Sequence, residues 1–183
     1  MPGERSLKKS FAAWLAVSAG ALIFLSLILL APLALAHGHP FLSNILYQGF
    51  SLACHQMPER SFHIEGHPLA VCARCFGLYT GFAAGAVAYP VARSVARRDV
   101  PGRAWLIAAT LPTAIDFALG FLGIWENTHL SRSVTGALVG AVAAFYVVPG
   151  LVDLSQSDWG RLFRADAKFD AEALTISTAK GKQ

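Results

Sequence analysis

The sequence predicts an all-α fold: an integral membrane bundle of about four transmembrane helices with an outward Cys/His-rich loop. Three observations predict it. Of the 183 residues, 55% are apolar and only 14% charged, with a mean hydropathy of +0.49; an average soluble domain has roughly 45–50% and about 25%. The apolar residues gather into four runs, at about 11–36, 76–95, 104–125 and 133–152. The basic residues fall almost entirely between alternate runs. Disorder is excluded by the first observation, and a water-soluble globule is short of the charge its surface would need.

A charged tail, residues 1–10, precedes the first span. Phe11 to Ala36 contains no charged residue and is long enough for a hydrocarbon core of ~30 Å at ~1.5 Å per residue. Its end, Ala34-Leu35-Ala36, imitates a signal-peptide cleavage site, but the run is about twice the usual 7–15 residues of such a segment. An uncleaved helix is therefore expected; cleavage would free His37-Gly38-His39 as an amino-terminal copper ligand. In the second span Gly77, Gly81 and Gly85 recur every fourth residue, as do Gly136 and Gly140 in the fourth, a spacing that lets membrane helices approach backbone to backbone. The third span carries one acid near its middle, Asp116. No run alternates with the period of two of a membrane barrel strand. The tail, residues 153–183, is of mixed charge; Trp159 to Ala173 suits either a short surface helix or a partly ordered segment.

Twelve of the fifteen lysines and arginines lie before the first span, between the second and third, or after the fourth. Only Arg60, Arg74 and Arg132 fall on the other side. The positive-inside rule then places both termini and the middle loop in the cytoplasm, in a multi-pass cell (inner) membrane protein. The loop at residues 37–75 and the short one before Arg132 face outwards. The basic balance reports topology and implies the lipid bilayer as partner, with no nucleic acid.

The outward loop holds all three cysteines, Cys54, Cys72 and Cys75, together with His55, His63 and His67. Thiolates and imidazoles are ligands of zinc, copper and iron. A C-x-x-C pair turns two sulfurs to one side; Cys54 adds a third, and a histidine would complete a tetrahedral Cys3His site. An odd number of cysteines cannot be closed as internal disulfides, so a metal, burial or a redox cycle must protect them in an oxidising compartment. Cys75 sits where a helix begins and Arg74 lies beside it, both of which favour a thiolate. An acid within the membrane costs at least ~2.5–3.5 kcal/mol, so Asp116 needs an inward-facing partner. Arg132 is too shallow for a mid-span acid, and Thr80 or Tyr79 lie nearer. Asn127, Thr128, Arg132, Thr135 and Gly136 form a polar cluster on the same outward face. Arg60, Arg74 and Arg132 suit an anion, charge compensation of metal thiolates, or snorkelling to headgroups.

The stretches Cys54-His55-Gln56-Met57-Pro58-Glu59-Arg60-Ser61-Phe62 and Val71-Cys72-Ala73-Arg74-Cys75-Phe76-Gly77 resemble the prokaryotic membrane-protein family designated domain of unknown function 2085. The resemblance runs from about Leu46 to Pro149 and takes in Pro112, Asp116, Asn127, Arg132, Thr135, Gly136 and Gly140. It implies a multi-span protein with a polar signature of Cys54, His55, Gln56, Arg60, Ser61, Phe62, Cys72, Arg74, Cys75 and Gly77, and makes His55 the preferred fourth ligand over His63 and His67. It names no reaction.

Three functions remain open. The first is a metal site at Cys54, His55, Cys72 and Cys75, with zinc preferred. The second is a thiol–disulfide oxidoreductase passing electrons from Cys72/Cys75 to a quinone, which lacks a second cysteine pair. The third is a non-enzymatic accessory subunit of a larger membrane complex or a homo-oligomer, using the glycine-lined faces.

Overall fold

The computed structural model describes residues 4–156. Helix α1 spans Glu4–Ala36 and α2 spans Pro40–Ser51; a 3-10 turn at Pro58–Arg60 and a small hairpin, β1 His63–Ile64 with β2 His67–Pro68, follow. Then come α3, Ala73–Ala92, α4, Arg103–Phe121, and α5, His129–Gln156. Four helices, α1, α3, α4 and α5, are long and apolar enough to cross a membrane. The expected all-α bundle is what the chain forms. The surface helix expected at Trp159 to Ala173 lies outside the described residues.

The ends of two helices have a local cause. After α1 the chain turns at Gly38 (φ +77°), where Gly38 N donates to Leu35 O and His39 N to Ala34 O, at 3.2 and 2.8 Å. That pattern around a left-handed glycine closes a helix and satisfies its last carbonyls. The same device ends α4: Gly123 has φ +69°, with Gly123 N on Gly120 O and Ile124 N on Leu119 O. The third span therefore stops at Phe121, short of the expected 125. At the other extreme α1 starts at Glu4, inside the expected tail; Lys8 Nζ and Glu4 Oε1 pair at 2.7 Å one turn apart, so the helix continues past its apolar stretch.

The Cys/His-rich loop is more ordered than a loop. In the hairpin His63 faces Pro68 and Ile64 faces His67, joined by Glu65 and Gly66 at φ +50° and +77°, the paired positive values of a tight two-residue hairpin turn. Ser43 Oγ donates to Ala31 O at 2.9 Å, folding α2 back on α1.

The bundle is built on α3 against α5, the closest pair; α1 lies across both, and α4 packs on α5. The spaced glycines make that centre possible, as expected. A Cβ on Gly81 would lie 2.7 Å from the Ala137 carbonyl carbon, and one on Gly140 would lie 2.8 Å from that of Leu78. Each helix thus supplies small residues where the other supplies backbone. At the end away from the cysteines, Trp14 Nε1 donates to Ala86 O at 2.7 Å and Gln156 Nε2 to Ser10 Oγ at 2.6 Å. The starts of α3 and α5 and the ends of α1 and α4 share the cysteine end.

Candidate metal centre

Cys54 leaves α2 with its N–H on Phe50 O at 3.0 Å and is buried with Phe50, Leu69, Ala70 and Val71. The next turn of chain is fixed by Gln56, whose backbone is left-handed (φ +50°). Its Nε2 donates to Tyr47 O at 2.7 Å and to Ala70 O at 2.8 Å. Ser61, fully buried, donates through Oγ to Met57 O at 2.9 Å. These polar side chains hold the Cys54 segment against the strand that leads to Cys72. Cys72 caps α3 in an extended conformation (φ −67°, ψ 161°), with Phe76 N on its carbonyl at 2.9 Å, so Cys75 follows in the first turn on the same side.

The ligand atoms of Cys54, Cys72 and Cys75 all lie within 4.8 Å of one another, and all three are free thiols. Cys72 N–H points at Cys54 Sγ, 3.2 Å away, a contact that stabilises sulfur carrying negative charge. The Cys72 thiol is lowered to about 5, mainly by the hydrogen bond from the Cys75 side chain; burial opposes this, and the Cys75 and Arg74 backbones assist.

His55, next to Cys54, is exposed and outside the sulfur group; His63 and His67 sit on the hairpin and are outside it too. A histidine the sequence reading passed over, His129, has a structural part: its Nε2 meets Glu59 O at 3.0 Å and its ring lies 5.6 Å from that of Phe62. Its position at the start of the fourth apolar run was the available signal.

Asp116 finds a partner other than those expected. Arg74 Nη2 donates to Asp116 Oδ2, with the two side chains 26% and 10% exposed. Thr80 Oγ1 returns to Phe76 O at 2.8 Å, Tyr79 meets Phe24 edge to face with centroids 4.8 Å apart, and Arg132 makes no ion pair with Asp116. The reason is depth: with α4 ending at Phe121, Asp116 is near the cysteine end, level with the first turn of α3. Asn127 Nδ2 donates to Asp116 O, and Arg74 lies over the Phe117 ring, 5.9 Å from its centroid. Arg60, Arg74, Arg132 and Asn127 meet Cys72 and Cys75 around a cavity of about 390 Å³.

The family described as "Predicted membrane protein (DUF2085)" matches residues 54–146. An uncharacterized protein of Methanocaldococcus jannaschii is 41% identical over 133 residues, 70% of this chain and 85% of its own length. An uncharacterized protein of Methanothermobacter thermautotrophicus is 34% identical over 93 residues, 50% of this chain and 80% of its own. No solved structure matches.

Proposed function

The chain belongs to the predicted membrane-protein family designated domain of unknown function 2085, and from that premise we propose that it holds one metal ion, zinc by preference, on Cys54, Cys72 and Cys75. The convergence of three sulfurs within 4.8 Å carries this reading. Zinc–sulfur bonds of ~2.3 Å in a tetrahedron set sulfurs roughly 3.8 Å apart, so the triad binds with small side-chain adjustments. The Cys72 N–H on Cys54 Sγ is the supporting hydrogen bond that metal thiolates commonly receive. With the loop histidines outside the sulfur group, the chain supplies three ligands, and the fourth position opens to water or an exogenous ligand. A metal answers the odd thiol count that the redox alternative leaves unexplained.

The proposal includes orientation. The triad faces outwards and both termini are cytoplasmic, supported by the asymmetry of the basic residues.

Both parts are checked on one preparation. Metal analysis of the protein purified in detergent is expected to give about one ion per chain, with at least a tenfold loss in Cys72→Ser/Cys75→Ser. In sealed vesicles a membrane-impermeant thiol reagent should label the chain from outside only after chelation. A metal-free protein with a reducible Cys72–Cys75 disulfide would overturn the reading in favour of thiol redox chemistry.

A further inference from the structure

The cavity beside the triad carries a charge the cluster does not account for. Its wall holds three guanidinium groups, Arg60 from the 3-10 turn, Arg74 from α3 and Arg132 from α5. Arg74 is engaged by Asp116. Among the described residues, no carboxylate pairs with Arg60 or Arg132, and no acceptor takes a hydrogen bond from either side chain. Arg132 lies within electrostatic reach of both other arginines, and of Asp116 and Cys72, so three positive charges share one space with fewer negative ones. One negative charge on the cysteine cluster, with or without a metal, still leaves the cavity positive.

The space itself is suited to a ligand. At about 390 Å³ it admits a small oxyanion together with water. Asn127 adds a polar side chain and Gly120 a wall without one, while the exposed Phe117 and Phe121 complete the lining. The N-terminal turns of α3 and α5 lie at this end, and their dipoles add to the same sign of potential. Guanidinium forks bind phosphate oxygens in pairs.

We infer that this cavity is a binding site for a phosphate group, offered by a free phosphate anion or by the headgroup of an anionic lipid. Arg60 and Arg132 make the direct contacts, and Arg74, held by Asp116, sets the floor. The site does not depend on the metal, although it adjoins the triad.

The test uses the full chain, metal content measured throughout. In one arm inorganic phosphate is titrated calorimetrically into the protein in neutral maltoside detergent at constant ionic strength. In the other the protein is reconstituted in phosphatidylcholine with or without phosphatidylglycerol, and retained lipid is read by native mass spectrometry. At least one arm is expected to show saturable binding, weakened at least tenfold in Arg60→Gln/Arg132→Gln while metal content and Tm are retained. Saturation by inorganic phosphate identifies a free anion; retention of phosphatidylglycerol alone identifies a headgroup. Arg132→Lys, which keeps the charge and loses the fork, should fold normally and bind more weakly than the parent. Equal responses of parent and double variant in both arms, or loss of metal without any phosphate binding, would overturn the inference. The latter would make the arginines counter-charges of the triad. A parent that binds phosphate but holds no metal would leave this site standing and remove the metal.

Discussion

A valine at Gly140 is expected to leave little folded protein. A single Cβ there would overlap the Leu78 carbonyl, lying 2.8 Å from its carbon and from Phe82 N. Both obstacles are backbone, so no rotamer change relieves them and α3 must move away from α5. Overpacking where side chains can shift costs ~1–3 kcal/mol; with the helix pair itself displaced, the expected loss exceeds about 3 kcal/mol. Gly81→Val meets the reciprocal obstacle at Ala137 and should behave alike. Gly150→Ala, in the same helix with nothing within 4 Å of its added Cβ, should stay within about 1 kcal/mol of the parent. Thermal unfolding in detergent, with the monodisperse fraction recovered, reads all three. A Gly140→Val protein as stable as the parent would show that the helices do not meet at these glycines.

Removing one member of the Arg74–Asp116 pair is expected to cost more than removing both. Asp116→Ala leaves the mostly buried Arg74 guanidinium beside Arg60 and Arg132 without its carboxylate, a loss of about 3 kcal/mol. Helix α4 makes this severe. Its one buried residue is Ala109, and between membrane helices apolar contact gives little net attraction because lipid offers the same contact. Polar ties fasten it instead: Asp116 to Arg74, Thr113 Oγ1 to Thr135 O at 3.0 Å, and Tyr146 Oη to Gly102 O at 2.8 Å. The Arg74→Ala/Asp116→Ala double variant should therefore be more stable than Asp116→Ala alone. Additive losses in the double-mutant cycle would show that the two side chains act independently.

What could be read in the sequence was what depends on short-range periodicity or on chemistry gathered in one segment. The spans followed from uninterrupted apolar runs, close backbone approach on the second and fourth spans from glycines four apart, and the sulfur cluster from three cysteines in one loop. The partner of Asp116 was not legible, because it depends on depth, and depth depends on where α4 stops. Gly123 decides that stop by accepting a left-handed conformation, a choice invisible to hydropathy. Gly38 and Gly66 act likewise in the loop, where Gly38 followed by Pro40 was an unused signal for a helix end and a new start. His55, His63 and His67 stand outside the sulfur group, because proximity in sequence to Cys54 does not by itself bring a side chain to the sulfurs.

The unequal helix lengths carry a last consequence. With 20 and 19 residues, α3 and α4 reach about 30 Å at 1.5 Å per residue, matching the hydrocarbon thickness of an average bilayer with nothing to spare. Helix α1, with 33 residues, reaches about 50 Å, and Ile28 and Ala31 near its end pack in one core with Cys54. Cys72 is the residue immediately before α3, so a bilayer that α3 just spans puts it at the boundary between acyl chains and headgroups. Bilayer thickness becomes a physical control on thiol exposure. After chelation, alkylation of the cysteines should be slower in long-chain than in short-chain phosphatidylcholine vesicles, and equal rates would place the triad clear of the boundary. A bilayer so placed sets how much water reaches the three sulfurs.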